Sequence, residues 1–263
     1  MSAPRPAPVS IDMEDLTVAY DRRPAIHHLS GNFAPGSLTA IVGPNGAGKT
    51  TLLKAIMGLL RPSEGRIDTH GLPRSAIAYL PQQAEIDRSF PITVADTVSL
   101  GLWAGAGILG AITRERRARA MAALHTVGLE GFAERPIGNL SVGQFQRVLF
   151  ARLLVQEAAV VLLDEPFAAI DERTAADLMR IVMRWHEEGR TVIAVLHDLD
   201  QVRRHFPQTL LIAREPVAWG PTQTALCEET LRRARALSET WSNGHGHHTA
   251  ANGAHGARNG RAA

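Results

Sequence analysis

The stretch Gly43-Pro44-Asn45-Gly46-Ala47-Gly48-Lys49-Thr50 decides how the rest of the chain is read. It satisfies every specified position of G-x-x-x-x-G-K-[ST], the pattern of a loop that cradles phosphates. Its surroundings agree. Ser37-Leu38-Thr39-Ala40-Ile41-Val42 reads as a short buried strand, and Thr51-Leu52-Leu53-Lys54-Ala55-Ile56-Met57 as a helix stopped at Gly58. A strand, a glycine-rich turn and a helix N-terminus in that order make an anion site. Unpaired backbone N–H groups and the positive end of the helix dipole point at the phosphates. In that frame Lys49 reaches the β- and γ-phosphates and the Thr50 hydroxyl ligates Mg²⁺, with Thr51 the last residue of the site. The stretch is a nucleotide site.

Composition bounds the rest. A chain of 263 residues, 45% hydrophobic, buries a sizeable core as one large domain or as one domain with an insertion. No run reaches the roughly 20 apolar residues of a bilayer span, so the chain is not expected to cross a membrane by itself. Met1–Pro8 is rich in Pro and Ala, lacks the apolar core of a secretion signal, and reads as disordered. Cys227 is the single cysteine, which leaves no internal disulfide and fits a reducing, cytoplasmic compartment. A net charge of +2 gives no argument for nucleic acid as a partner.

Taken in order, Val9–Tyr20 alternates like an antiparallel strand with one buried face, and Ala25–Phe33 reads as a second strand. Tyr20 stands where the first strand meets a turn. It either stacks on a purine ring or packs on the sheet. Short strands follow at 64–67 and 75–80, the second ending in Pro81-Gln82. Gly101–Ala111 is apolar but glycine-rich, a poor helix. Thr113–Val127 is helical, with an expected apolar stripe of Ala118, Met121, Ala122, Leu124 and Val127. Leu140–Gln144 opens a strong helix to Gln156 with Ser141 as its N-cap. The segment from about 90 to 155 therefore reads as a helical subdomain. Ala159–Leu163 and Thr191–Leu196 are buried strands, separated by a helix over 171–188. A hairpin at 209–213 and 217–220 and a helix over 224–240 end the folded part. Apolar strands alternating with helices predict an α/β fold with a mainly parallel sheet and ligands at the strand C-terminal ends. Residues 241–263 read as a disordered tail.

Four polar positions fall at those strand ends: the phosphate loop, Gln82, Asp164-Glu165 and His197. Their spacing brings them to one phosphate group. Asp164, ending a buried strand, suits holding Mg²⁺ through water, and Glu165 beside it suits polarising an attacking water.

Here the sequence resembles the ATP-binding subunits of ABC transporters, over about residues 9–236. Gly43–Thr50 corresponds to the Walker A loop, Gln82 in Tyr79-Leu80-Pro81-Gln82 to the Q-loop, and Leu140–Gln144 to the signature motif. Val160–Glu165 corresponds to the Walker B strand, Ala169-Ile170-Asp171 to the D-loop, and His197 to the switch histidine. The resemblance implies a P-loop ATPase core with an antiparallel β subdomain and a helical signature subdomain, acting on ATP with Mg²⁺. It implies that Tyr20 stacks on adenine, Gln82 touches Mg²⁺ and senses the membrane partner, Glu165 is the catalytic base, and His197 holds the γ-phosphate. Asp171 would communicate across a dimer. Ser141 and Gly143 would bind the γ-phosphate held by a second copy, so two chains would pack head to tail around each ATP. The signature departs from Leu-Ser-Gly-Gly-Gln at Val142, which must take an ordinary helical or extended conformation.

Arg88–Val94, Gln144–Arg152 and Leu163–Asp171 are similar to zinc and manganese importers in particular, with parts shared by iron-chelate importers. The implied function is ATP-driven import of a divalent metal, zinc first, then manganese or an iron chelate. The implied partners are integral-membrane permease subunits and, indirectly, a periplasmic or surface metal-binding protein; the implied location is the cytoplasmic face of the cell membrane. A soluble ABC ATPase acting on DNA or ribosomes is disfavoured by the single cassette, and a non-hydrolysing regulator by the intact Glu165. Gly101–Ala111 is expected to line the groove that receives a helix of the membrane subunit. The tail carries His245, His247, His248 and His255, either a transition-metal contact or a solvated segment.

Overall fold

The computed structural model describes residues 9–20, 23–82, 86–105 and 114–243. The N-terminal segment 1–8, the second half of the apolar run (106–111) and the tail histidines lie outside the described residues.

Three strands, β3 (Leu38–Val42), β6 (Val160–Asp164) and β7 (Thr191–Val195), are buried at every position, which only a sheet covered on both faces can satisfy. They form the middle of a six-stranded sheet with β5 (Ile77–Leu80), β8 (Gln208–Ala213) and β9 (Glu215–Pro221), in the order β5-β6-β7-β3-β8-β9. All neighbours are parallel except β9, which returns antiparallel on β8. The period of two then sorts the strand residues. Leu38, Ala40, Val161, Leu163, Val192 and Ala194 face one core; Ile41, Val160, Leu162, Ile193 and Val195 face the other.

The first core is closed by α4 (Val142–Gln156) and α5 (Glu172–Glu187), with Phe145, Phe150 and Trp185 wholly buried. Phe150 and Trp185 stack with ring centroids 5.7 Å apart. The second core is closed by α1 (Lys49–Ile56) and by an antiparallel sheet of β1 (Ile11–Tyr20), β2 (Arg23–Phe33) and β4 (Glu64–Asp68), in the order β2-β1-β4. α2 (Val94–Ser99) and α3 (Arg114–Thr126) pack with α4 as a helical unit.

The structure corrects several sequence expectations. In α3 the buried positions are Ala120, Ala123 and Leu124, with Val127 just beyond, whereas Met121 is exposed and Ala118 and Ala122 face solvent. The helix is mostly Ala and Arg, and alanines suit either face, so the stripe is set by where Leu124 and Val127 dock. The terminal helix is two: α7 (Thr222–Ala225) and α8 (Glu228–Asn243). α8 therefore takes in Trp241–Asn243, which the sequence had assigned to the tail. The strand at 75–80 opens as a 3₁₀ turn, Arg74–Ala76, before β5. A short helix after β7, α6 (Leu199–His205), had no expectation; Asp198 caps it by accepting from the N–H groups of Asp200 and Gln201.

Candidate functional site

The phosphate loop takes its shape from backbone that only glycine supplies cheaply. Gly48 has φ +93°, and a Cβ there would stand 2.2 Å from the Ala25 carbonyl oxygen of β2. At Gly43, φ +155°, a Cβ would stand 2.0 Å from the Ile212 carbonyl oxygen of β8. The loop is thus wedged between two sheets, and it aims the N-terminus of α1 into a cavity. Lys49 Nζ donates to the carbonyls of Gly43 (2.8 Å) and Pro44 (2.9 Å). Burial lowers the Lys49 pKa, while the charges of Glu165 and Asp164 pull the other way.

The cavity, about 320 Å³, is lined by Ala25, residues 45–51, Gln82 and Glu165. β5, β6, β7 and β3 are consecutive in the sheet, so their C-terminal ends bring the phosphate loop, Gln82 and Glu165 to its wall and place Asp164 and His197 behind it, in contact with Thr50 and Glu165. Asp164 is completely buried. Its Oδ1 accepts from the Thr50 hydroxyl at 3.2 Å and its Oδ2 from the Tyr79 hydroxyl at 3.5 Å. The next residue, Glu165, turns out of the strand in the left-handed region (φ +50°), a costly conformation for a non-glycine residue. That turn carries its carboxylate into the cavity. There Glu165 Oε1 accepts from Gln82 Nε2 at 2.8 Å and lies 2.6 Å from His197 Nε2. Against an ionised carboxylate the imidazole donates that proton. One carboxylate oxygen is therefore held by an amide and an imidazole, each from a different strand end.

The donor set suits Mg²⁺. A hydroxyl, a buried carboxylate and an amide oxygen are hard ligands, and Mg²⁺ takes few protein ligands because it keeps waters and substrate phosphates. Thr50 and Gln82 would hold the ion directly and Asp164 through water, and the ion would supply charge neutralisation at the phosphates.

Ser141, Gly143 and Asp171 are not among the residues that line this cavity. Ser141 caps α4: its hydroxyl accepts from Gln144 N at 3.2 Å, and Gln144 Oε1 accepts from Ser141 N at 3.0 Å. Val142 begins α4, in line with the ordinary conformation expected of it. Gly143 has no left-handed φ, and a Cβ there would meet Thr174 only at 3.6 Å. Asp171 caps α5, accepting from Thr174 N at 2.9 Å and Thr174 Oγ1 at 2.8 Å, and those bonds hold its carboxyl below the usual range. Tyr20 ends β1; its side chain lies outside the described residues.

Sequence reasoning missed three supports. Tyr79, on Asp164, had only a polar tip in a strand running into Gln82 as its signal. Gln146, buried in α4, donates to the Pro166 carbonyl at 2.7 Å and so ties the signature helix to the turn after Glu165. Arg147 joins α4 to α5, donating to Asp177 Oδ2 at 2.7 Å and to the Val127 carbonyl at 2.9 Å.

Known proteins share the sequence and the fold of this chain. Residues 26–168 match the family model described as ABC transporter. The manganese transport system ATP-binding protein of Listeria monocytogenes is 41% identical over 228 residues, covering 85% of this chain and 95% of that protein. The zinc transport system ATP-binding protein of Treponema pallidum is 38% identical over 229 residues, covering 86% of each. Among solved structures, a dimeric post-hydrolysis state of an ATP-binding cassette bound to ADP and phosphate superposes with a TM-score of 0.71 at 27% identity, covering 81% of this chain and 98% of that one. The chain therefore belongs to the ABC transporter family, as an ATP-hydrolysing cassette.

Proposed function

We propose that the chain is the ATPase subunit of a divalent-metal importer, bound peripherally to permease subunits at the cytoplasmic face of the cell membrane and working as a head-to-tail pair of copies. The single observation that carries the ATPase half is the convergence of Lys49, Thr50, Gln82 and Glu165 on one cavity, with Asp164 bonded to Thr50 and His197 to Glu165 behind them. Lys49 and the amides of residues 45–51 bind the phosphates. Glu165 takes a proton from the water that attacks the γ-phosphorus, and the bond to the β-phosphate oxygen breaks to release ADP. His197 and Gln82 set the direction of the Glu165 carboxylate. Ser141 and Gly143, at the start of α4 and not among the residues that line their own chain's cavity, serve the phosphate held by the second copy. Asp171 lies on the route between copies, and Tyr20 meets the adenine.

The cargo rests on the relatives, which carry the names of manganese and zinc systems. Those names do not single out zinc, the metal put first from sequence, and manganese stands beside it. A metal-binding protein outside the membrane completes the assembly. The tail imidazoles His245, His247 and His248 are proposed as a transition-metal contact, in keeping with imidazole's affinity for such ions. The deciding experiment measures uptake of labelled Mn²⁺ and Zn²⁺ in cells lacking this chain, restored with wild type, with Glu165→Gln, or with a version ending at Asn243. The proposal requires that wild type restore one of the two ions and Glu165→Gln neither. Restoration by Glu165→Gln, or of neither ion by wild type, would overturn it.

A further inference from the structure

The segment after Gln82 and the segment before Ser141 are distant in sequence but joined in the fold. Residues 92–95 run beside 133–137. Val94 N donates to Arg135 O at 2.9 Å, Ala95 N to Ala133 O at 2.9 Å, and Ile137 N to Ile92 O at 3.1 Å. At the head of this seam stands Arg88. Its Nη2 donates to the carbonyl of Ile137 at 3.3 Å and to that of Leu140 in a shorter bond. Its guanidinium lies over the Phe145 ring of α4, 4.8 Å from the centroid. The backbone around Arg88 is itself pinned, since Asp87 Oδ1 accepts from Ser89 N at 2.9 Å and Ser89 Oγ at 2.7 Å.

The Leu140 carbonyl belongs to the peptide whose N–H is that of Ser141. That N–H is held by Gln144 Oε1 at 3.0 Å. The peptide plane leading into Ser141 is therefore fixed at both ends by side chains, Arg88 on its oxygen and Gln144 on its nitrogen. Rotation of that plane would turn Ser141 and the first amides of α4, the groups that would meet a phosphate. The other flank of Gln82 is tied to the same helix: Arg152 of α4 donates Nη2 to the Tyr79 carbonyl at 2.9 Å, three residues before Gln82. α4 is thus clamped by one arginine on each side of Gln82.

We infer that Arg88 is a positioning residue for ATP hydrolysis, setting the orientation of the Leu140–Ser141 peptide and tying it to the segment that follows Gln82. The inference rests on the proposed composite site, in which Ser141 serves the second copy's phosphate.

The test uses the full chain as wild type, Arg88→Met, Arg88→Lys and, as benchmark, Ser141→Ala. Three quantities are read: thermal midpoint, binding of a fluorescent ATP analogue to dilute monomer, and ATPase rate against protein concentration. Arg88→Met should leave monomer binding within about twofold of wild type, since Arg88 is not part of the cavity wall. It should lower kcat, and raise the protein concentration for half-maximal turnover, each by about tenfold, the scale of losing a charged hydrogen bond. Arg88→Lys keeps a cation near Phe145 and one donor for Leu140, and should fall between; it decides the matter if Arg88→Met lowers the thermal midpoint. A purely structural role would depress the midpoint and monomer binding together. If Ser141→Ala is impaired while both Arg88 variants keep wild-type turnover and concentration dependence, the positioning role is wrong and the composite site stands. If Ser141→Ala also matches wild type, the composite site fails, and the inference with it.

Discussion

Two glycines of the phosphate loop permit a matched perturbation. Gly46 has φ +76° and Gly48 φ +93°, so alanine at either is placed in backbone that L residues disfavour by about 1–2 kcal/mol. They differ in what a methyl would meet. At Gly46 nothing lies within 4 Å, so the backbone term is the whole cost. At Gly48 the methyl would stand 2.2 Å from the Ala25 carbonyl oxygen and 2.9 Å from Ile26 Cγ1. The first of these is backbone and cannot swing aside, so β2 or the loop must move. The total for Gly48→Ala is then on the order of 4 kcal/mol. For a chain of this size 1 kcal/mol moves the midpoint by about 2–4 °C. Calorimetry of the ligand-free proteins should therefore give a loss of about 2–8 °C for Gly46→Ala and on the order of 10 °C or more for Gly48→Ala. Repeating the scan with MgATP separates the second effect. Gly46 lines the cavity, so its methyl intrudes on the phosphates and the rise in midpoint that ATP gives wild type should shrink. Equal losses for the two variants, or a Gly48→Ala protein as stable as wild type, would refute the reasoning.

Other consequences are direct. Glu165→Gln preserves size but removes the base, so turnover should fall about 10²–10⁴-fold while MgATP still raises the thermal midpoint; an unchanged rate would remove Glu165 from the proposed role. Asp177 is held below the usual carboxylate range, chiefly by its bond to Arg147 with Arg180 adding to it, and Asp171 by its bonds to Thr174. A depressed carboxyl adds stability that is present above the unfolded value near about pH 4 and lost as pH falls through the folded value. Denaturation followed from pH 7 down to pH 2 should thus show a shallower acid loss for Asp177→Asn than for wild type, and parallel curves would deny Asp177 that contribution.

The architecture was legible where one physical signal dominated. The largely apolar strands β3, β6 and β7 could only be covered on both faces, and the phosphate loop announced its helix. Asp164, Glu165, Gln82 and His197 were legible because strand ends in a parallel sheet point to one edge. What stayed hidden depended on long-range contacts. In α3 the alanines gave no preference, so the stripe was misplaced around Met121. The contacts of Arg88, Gln146 and Arg147 carry no local pattern, because their partners are carbonyls 20 or more residues away or a carboxylate on another helix. The helix α6 was too short to display a period, and α8 runs through Trp241 up to Asn243, where composition turns to Gly, Asn and His.

The central claim is that each site joins Lys49 of one copy to Ser141 of the other. Mixing a Lys49→Ala chain with a Ser141→Arg chain tests it most directly, with ATPase rate as the readout and differential tags to verify that mixed dimers form. Each chain alone has both sites damaged. In a mixed dimer both lesions fall in the same site and the other is intact, so the account predicts that two inactive preparations regain about a quarter of wild-type turnover at equal ratio if the sites act independently. Mixed dimers that form and stay inactive at every ratio would contradict it.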